Sequence, residues 1–181
     1  MDRGLIQCPF CEAETIEGVD ACDACGQSLA ELHLPTPASE VELALLTDRV
    51  SALRGRAVLV ISPTMPVREA IRLLAYNKIG CVVIVRGGQV AGIFTERDAL
   101  LKVNDSLSEL GDRPVEEFMT ASVETLPLHA KIAFALHRMD LGGFRHIPIV
   151  NDQQEPIGIV SVRDILKYLE RTLRDGATSA F

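Results

Sequence analysis

The stretches Gly92-Ile-Phe-Thr-Glu-Arg-Asp98 and Gly158-Ile-Val-Ser-Val-Arg-Asp164 decide the fold of this chain. Each has a glycine near the end of an apolar run, a hydroxyl residue three positions later, and an aspartate three positions after that. The two aspartates lie 66 residues apart, and the apolar runs that precede the motifs, ending at Val85 and Val150, lie 65 residues apart. One inserted residue accounts for the difference. The chain therefore contains one supersecondary unit twice.

The hydrophobic pattern gives each copy the order strand, helix, strand, strand, helix. We place the first repeat at 56–112 and the second at 113–175, which predicts a mixed α/β fold. In the first repeat, the second helix is expected to begin near Thr95 and to carry apolar residues at 99–101. Cys81 falls inside a continuous apolar strand, and we interpret it as a small core residue rather than a reactive thiol.

The composition favours a soluble protein with an aliphatic core. Hydrophobic residues make up 48% of the 181 residues, whereas aromatic residues make up only 4%. A net charge of −7 opposes general binding to nucleic acid or to an anionic membrane, because association would begin with repulsion. No apolar run is long enough to cross a bilayer, and the N-terminus lacks the apolar core of a signal peptide. We therefore expect a cytoplasmic protein, with a disordered tail at 176–181.

Four cysteines form two Cys-x-x-Cys pairs, Cys8/Cys11 and Cys22/Cys25, with ten residues between the pairs. Two such pairs can place four thiolates at the corners of a tetrahedron, the geometry of closed structural Zn²⁺ sites. We interpret residues 1–30 as a zinc ribbon whose metal supplies the folding free energy that so short a segment lacks. The alternatives are a pair of disulfides, which a reducing compartment disfavours, a rubredoxin-like iron site, and a redox pair. Four thiolates leave no open coordination position, which indicates a structural metal.

Residues 31–55 are expected to connect the ribbon to the repeats. The run Leu34-Pro-Thr-Pro-Ala38 predicts a stiff, non-helical hinge. Ser39 and Glu42 then have the spacing of a capping box, and apolar residues recur at helical intervals after them. The sequence therefore predicts a connecting helix that ends at Gly55.

The duplicated motif resembles a pair of cystathionine-β-synthase (CBS) domains, the Bateman module. The strand Phe144-Arg-His-Ile-Pro-Ile-Val150 and the lead-in Phe118-Met-Thr120 carry the same resemblance, which covers about 56–172. It implies two β-α-β-β-α units in one pseudo-twofold disc with two clefts between the units. In similar modules those clefts bind AMP, ADP, ATP or S-adenosylmethionine, and binding adjusts the activity of a partner domain or protein. Paired modules of this family often form dimers.

Thr95 and Asp98, like Ser161 and Asp164, fall in the first turn of a helix. Two interpretations are open for each pair. The hydroxyl and the carboxylate can form a capping box with the backbone, or the carboxylate can accept hydrogen bonds from ribose hydroxyls while the hydroxyl and the helix amides meet a phosphate. Repetition of the pair at equivalent positions favours a ligand role. The resemblance implies that Asp98 and Asp164 bind ribose, with Thr95 and Ser161 beside ribose or phosphate.

Phosphate also requires fixed positive charge. In similar modules the positions of Arg145 and His146 point basic side chains at phosphates, whereas the alternative is a solvated arginine and a surface histidine. The equivalent residues of the first repeat, Gly80 and Cys81, bring no charge. We therefore expect two unequal sites, one competent for nucleotide and one weaker, degenerate or restricted to adenosine.

Arg97 and Arg163 lie between the hydroxyl and the aspartate of each motif. Each is open to two interpretations, a phosphate ligand or a solvated charge on the helix. The candidate ligand-binding residues are thus Thr95, Arg97, Asp98, Thr120, Arg145, His146, Ser161, Arg163 and Asp164.

No nucleophile–base pairing has a recognisable spacing, and no glycine-rich phosphate loop precedes a lysine. The leading hypothesis is a non-enzymatic adenine-nucleotide sensor that passes its state to an unidentified partner protein. The alternative is a zinc-ribbon adaptor of nucleic-acid or transcription machinery with a structural CBS pair, although the acidic residues of the ribbon oppose it. A third hypothesis is an iron redox protein with a regulatory module.

Overall fold

The computed structural model describes residues 5–16, 19–29, 39–53 and 57–178. The fold mixes strands and helices, which confirms the predicted α/β class. The described strands are β1 (Leu5–Gln7), β2 (Glu14–Ile16), β3 (Val60–Ile61), β4 (Cys81–Arg86), β5 (Gln89–Thr95), β6 (Thr120–Ala121), β7 (Leu126–Pro127), β8 (His146–Val150) and β9 (Pro156–Ser161). The described α-helices are α1 (Glu40–Thr47), α2 (Val67–Asn77), α3 (Glu96–Asp98), α4 (Leu107–Leu110), α5 (Ile132–Gly142) and α6 (Val162–Thr178). The predicted hinge at 34–38 lies outside the described residues.

The chain divides into two compact units. The first unit takes the described residues of Met1–Gly55, Leu126–Arg145 and Val160–Phe181, and the second takes those of Arg56–Thr125 and His146–Ile159. The division cuts across the two sequence repeats. The helices α5 and α6 of the second repeat belong to the first unit together with the cysteine-rich segment, whereas β8 belongs to the second unit.

The second unit is built on a sheet with the strand order β3-β4-β5-β6. Strand β3 runs parallel to β4, and the other neighbours are antiparallel. Alternate side chains of β4, Val82 and Ile84, are fully buried and pack with Phe94 of β5 and with Val67 and Leu74 of α2. The register places Cys81, at the start of β4, opposite Thr95 at the end of β5. The pairing therefore places Thr95 beside the start of β4, at the end of β5 where α3 begins.

The predicted second helix of the first repeat is broken, which corrects the expectation of one helix from Thr95. Helix α3 ends after three residues, and a π-helical turn at Ala99–Val103 and a 3₁₀ turn at Asn104–Ser106 precede α4. Leu100 and Leu101, which the sequence places on this helix, are 65% and 78% exposed. The wide π-helical turn instead brings Val103 into the core, where it is 2% exposed.

The connecting helix begins as predicted and ends early. The Ser39 side chain accepts a hydrogen bond from the Glu42 amide at 3.1 Å, which confirms the N-cap. However, α1 ends at Thr47 rather than at Gly55, which is outside the described residues. We call residues 48–53 the connecting segment. They do not continue α1, because their backbone forms hydrogen bonds with the second repeat and two of their apolar side chains are buried.

The connecting segment pairs with the second repeat within the first unit. The Val50 amide donates to the Ala130 carbonyl at 2.7 Å, and the Ile132 amide donates to the Asp48 carbonyl at 3.0 Å. Val50 and Leu53 are 1% and 5% exposed. Burial of these two apolar side chains outweighs the helical preference of the sequence.

Helices α5 and α6 are the two helices predicted for the second repeat. Helix α5 ends at Gly142 and is capped by Gly143, which has the left-handed backbone conformation (φ +62°) that favours glycine. Helix α6 continues to Thr178, so residues 176–178 are helical, whereas the sequence places them in a disordered tail. Residues 179–181 lie outside the described part. None of the described helices combines the length and the apolar character that a membrane-spanning helix requires.

Candidate functional site

The first strand–helix junction contains Thr95 and Asp98. The Asp98 Oδ2 atom accepts hydrogen bonds from the Thr95 amide at 3.0 Å and from the Thr95 hydroxyl at 2.6 Å. The Asp98 amide in turn donates to Thr95 Oγ1 at 3.2 Å. These contacts form a capping box, which satisfies backbone amides at the start of α3.

The second junction repeats this geometry with Ser161 and Asp164. The Asp164 Oδ2 atom accepts from the Ser161 amide at 2.9 Å and from the Ser161 hydroxyl at 2.6 Å. The full capping box is therefore observed at the first junction, and the second junction shows the half in which the carboxylate accepts from the backbone amide. In each case it uses the Oδ2 atom alone, so the Oδ1 atom of the same carboxylate remains for a different donor.

A backbone hydrogen bond ties each junction to the start of the preceding strand. The Glu96 amide donates to the Gly80 carbonyl at 3.1 Å, and the Val162 amide donates to the Arg145 carbonyl at 3.1 Å. Gly80 and Arg145 are thus structurally equivalent, as the sequence alignment of the repeats predicts. The exposed Arg145 side chain begins beside the second junction, whereas the equivalent position of the first junction has no side chain.

His146 lies at the first junction, although it follows Arg145 directly in sequence. Its half-buried imidazole packs on Gly80, and a Cβ atom added to that glycine would lie 2.8 Å from His146 Nε2. Only glycine leaves this space. Successive residues of an extended chain point in opposite directions, so the structure assigns the two basic residues to different junctions.

The Asp98 carboxylate has a further partner that the sequence analysis missed. Lys102 Nζ lies 2.7 Å from Asp98 Oδ1 and also donates to the Phe118 carbonyl at 2.7 Å. Asp98 is only 7% exposed. The spacing of four residues on a helix, which brings side chains together, is the signal that could have revealed this ion pair.

The Asp164 carboxylate lies in a different setting. A cavity of about 210 Å³ is lined by Asp164, Lys167, Tyr168 and Arg171, all from α6. Arg171 stacks over the Tyr168 ring at 5.6 Å, and the Tyr168 hydroxyl donates to Asp48 of the connecting segment at 2.7 Å. Small-molecule sites usually measure about 300–1,000 Å³, so this cavity is smaller than a typical site for a whole ligand. The spacing of Lys167 and Arg171 after Asp164 places all three on one helix face.

The remaining candidate residues are exposed. Arg97 and Arg163 make no hydrogen bond or ion pair with the described residues. Thr120 lies in β6, opposite Ile93 of β5, and is two residues away from Thr95 along the paired strand. The structure thus leaves the roles of all three as predictions.

Cys8, Cys11, Cys22 and Cys25 form the candidate metal centre. Their sulfur atoms all lie within 4.8 Å of one another, with 3.8 Å between Cys8 and Cys25 and 3.6 Å between Cys11 and Cys22. A tetrahedral metal with bonds of about 2.3 Å to sulfur requires edges of about 3.8 Å, whereas a disulfide would require about 2.05 Å. Backbone hydrogen bonding, chiefly from Cys25, lowers the pKa of the Cys22 thiol to about 7, whereas burial raises the pKa of the Cys8 thiol and raises that of Cys25 to about 12. The donor set therefore fits a closed tetrathiolate site.

The first cysteine pair contacts the second repeat within the first unit. The Phe10 ring packs edge-on against the Phe134 ring of α5, with centroids 5.9 Å apart. Glu12 and Arg49 form an ion pair at 2.5 Å, which connects the cysteine-rich segment to the connecting segment. The metal centre is thus joined to α5 by an aromatic contact and to residues 48–53 by a charged one.

Comparison with known proteins gives a consistent result. The CBS domain family model matches residues 50–105 and 115–171. The chain is 32% identical over 125 residues to an uncharacterized 17.7 kDa protein of Acidianus ambivalens, an alignment that covers 68% of this chain and 74% of that protein. The match covers only 19% and 27% of two longer CBS domain-containing proteins of Arabidopsis thaliana.

Two solved structures with bound ligands have a similar fold. The CBS domain protein PAE2072 from Pyrobaculum aerophilum, complexed with AMP, is 27% identical with a TM-score of 0.60 over 68% of this chain and 99% of that one. The CBS domain pair of protein MJ0100, in complex with 5′-methylthioadenosine and S-adenosyl-L-methionine, has a TM-score of 0.60 at 22% identity over 68% of this chain and 97% of that one. At 22% identity the likeness shows the fold alone.

Proposed function

We propose, from the premise that this chain belongs to the CBS-domain family, that it is a non-enzymatic regulatory module for adenosine-containing ligands. The ligand is AMP, ADP, ATP or S-adenosylmethionine, and its binding state is passed to a partner protein. The observation that supports this proposal most strongly is the duplicated junction, in which each aspartate contacts the helix start through Oδ2, while Asp164 Oδ1 accepts no hydrogen bond from the described residues. The AMP complex of PAE2072 provides the chemical precedent.

The junction residues divide into ribose and phosphate ligands in this proposal. Asp164 accepts hydrogen bonds from the ribose hydroxyls, Asp98 is its counterpart in the first repeat, and Thr95, Thr120 and Ser161 lie on the ribose or phosphate side of the two junctions. The positive charge for phosphate comes from arginine, lysine and histidine side chains near the junctions. The phosphate candidates are Arg97, Arg145, His146, Arg163, Lys167 and Arg171.

The four-cysteine centre holds a structural Zn²⁺ in this proposal. Four thiolates complete the coordination of the metal, so it supplies folding free energy rather than catalysis. Iron in the same site would give a coloured protein, and zinc a colourless one. An absorbance spectrum together with elemental analysis of the purified protein distinguishes these two metals. Thiolates of this kind persist in the reducing cytoplasm, where we place the protein.

A homodimer completes the proposal. Leu100 and Leu166 occupy equivalent positions of the two repeats, and both are more than half exposed. Leu173 lies two helical turns after Leu166 and is 60% exposed. Apolar side chains at such positions favour association of two copies through the CBS module. Light scattering of the purified protein measures the oligomeric state directly.

A thermal-shift screen tests nucleotide binding. The parent protein is heated with AMP, ADP, ATP and S-adenosylmethionine, each added in turn. A ligand at a hundredfold excess over its dissociation constant stabilises the folded state by about 2.7 kcal/mol, which raises the melting temperature of a chain this size by about 5–10 °C. We expect Asp164→Ala to lose most of this shift.

Asp152→Ala is the matched control, because Asp152 is an exposed acid in the turn between β8 and β9. This variant should retain the full thermal shift. The proposal fails if none of the four ligands raises the melting temperature of the parent protein, or if Asp164→Ala and Asp152→Ala respond alike.

A further inference from the structure

We propose that Lys102 closes the first junction to nucleotide, so that each chain binds one adenosine ligand, at the second junction. This inference rests on the proposed function of the junctions, and it identifies the residue that makes them unequal. The sequence expectation of unequal sites depends on charge at Arg145 and His146. The structure points instead to a side chain that contacts the ribose-binding carboxylate itself.

The Asp98 carboxylate is already saturated in the folded chain. Its Oδ2 atom receives the amide and hydroxyl of Thr95, and its Oδ1 atom receives the ammonium of Lys102 at 2.7 Å. The side chain of Asp98 is 10% exposed. A ribose would therefore have to replace an existing donor before it could bind.

Lys102 is a poor group to displace. Its ammonium is held at a second point, because it also donates to the Phe118 carbonyl at 2.7 Å. The Lys102 ammonium adds the attraction between opposite charges to its hydrogen bond with the Asp98 carboxylate. A ribose hydroxyl can also donate to the carboxylate, but it is neutral, so exchange of the half-exposed Lys102 ammonium for a hydroxyl removes the counter-charge of the buried Asp98 carboxylate.

The second junction lacks this closure. The residue equivalent to Lys102, 66 positions later, is Tyr168, and its hydroxyl donates to Asp48 rather than to Asp164. No described residue donates a hydrogen bond to Asp164 Oδ1. Asp164 also lines a cavity with Lys167, a cation that suits a phosphate, and with Arg171, whose guanidinium also donates to the Ala52 carbonyl at 3.4 Å. The second junction therefore offers an unused carboxylate oxygen next to positive charge, and the first does not.

Isothermal titration calorimetry with AMP measures the number of sites. We expect the parent protein to bind one AMP per chain, and Lys102→Met to bind two, because methionine keeps most of the volume of the lysine stem and removes the ammonium. Adding Asp98→Ala to Lys102→Met should return the stoichiometry to one. Lys102→Arg is the matched control, because it retains a cation at this position, and we expect it to bind one AMP.

Three results would overturn the inference: two equivalent sites in the parent protein, one site in a Lys102→Met protein that melts cooperatively, or two sites in Lys102→Arg. Absence of AMP binding in the parent and in every variant is a different result, which would count against the proposed function itself. Asp164→Ala should abolish AMP binding in the parent protein, because Asp164 is the carboxylate of the second junction.

Discussion

Cys81 shows how the surroundings of one side chain set its chemistry. It is 6% exposed at the start of β4, and burial, together with the nearby charge of Glu96, raises the pKa of its thiol to about 12. A thiol with such a pKa stays neutral at physiological pH, and the thiolate is the reactive form. The position therefore carries a small apolar group, which agrees with the interpretation from the sequence.

The raised pKa predicts the pH dependence of stability. Between pH 9 and pH 12 the unfolded chain loses the Cys81 proton while the folded chain keeps it, so the free energy of unfolding should fall as pH rises through this window. The pKa of Tyr168 is also raised, first by burial and then by its bond to Asp48, and adds a loss in the same direction. Urea titrations of the parent protein and of Cys81→Ala at pH 8 and pH 10.5 isolate the cysteine contribution.

We expect the parent protein to lose more stability than Cys81→Ala over this range, because only the parent contains the buried thiol. Equal losses in the two proteins would contradict the assigned pKa. Native Cys81 should also resist alkylation at pH 8 while the metal is bound to the other cysteines.

Local sequence spacing predicts the roles of several residues at the two junctions. The capping role of Thr95 and Asp98 depends on residues three apart, and the equivalence of Gly80 and Arg145 follows from the repeat itself. The contact between His146 and Gly80 joins residues from different repeats, and no local pattern indicates it. The four-residue spacing of Asp98 and Lys102 is visible in the sequence, but the burial of the Asp98 carboxylate depends on the fold.

Tertiary contacts also explain where the predicted helices end. The sequence pattern after Ser39 continues beyond Thr47, yet α1 stops there because Val50 is buried beside Ala130. In the first repeat, a π-helical turn replaces the expected helix and buries Val103. Periodicity identifies which segments are helical, whereas the competition for burial decides their boundaries. The strands β4 and β5, which have continuous apolar runs and a Gly-Gly turn, were predictable almost to the residue.

The Tyr168 hydroxyl connects α6 to the connecting segment, and its contribution to the free energy of unfolding can be measured. Tyr168→Phe removes the 2.7 Å hydrogen bond to Asp48 and keeps the ring, which is 5% exposed. We expect the free energy of unfolding to fall by about 1–2 kcal/mol, because the Asp48 carboxylate loses a partly buried donor. Urea denaturation monitored by circular dichroism provides the measurement.

Tyr76→Phe is the matched control, because Tyr76 lies on α2 and is 87% exposed. Its substitution should change stability by less than about 0.5 kcal/mol. If the two substitutions have the same effect, the Tyr168–Asp48 bond does not hold the connecting segment in place.

The first unit combines segments that are distant in the sequence. Its cysteine-rich part, at the N-terminal end, buries very little apolar surface. The buried cluster of the cysteine-rich segment consists of Cys8, Cys22 and Leu29, with Phe10 and Val19 among the partly buried residues packed on it. Such a cluster is too small to fold without additional stabilisation. The metal is therefore expected to order this segment and, through Phe10 and Glu12, to support α5 and the connecting segment.

Removal of the metal should consequently destabilise more than the ribbon. We expect about one zinc per chain by elemental analysis, and a lower melting temperature after chelation under reducing conditions, because the Phe10–Phe134 and Glu12–Arg49 contacts require a folded ribbon. Phe10→Ala should keep the metal and lose the aromatic contact, which is worth about 0.5–1.5 kcal/mol beyond the buried area. An unchanged melting temperature after chelation would contradict the stabilising role of the metal.

Comparison of the two perturbations shows whether they act through the same contact. If the ribbon supports the rest of the unit by docking, a metal-free ribbon has already lost the Phe10–Phe134 contact, so Phe10→Ala should have no further effect on the metal-free protein. The melting temperatures of the parent and of Phe10→Ala should then differ with metal and coincide without it. Additive losses would instead mean that the metal and the aromatic contact stabilise the chain independently, and that the ribbon does not transmit its folded state through α5.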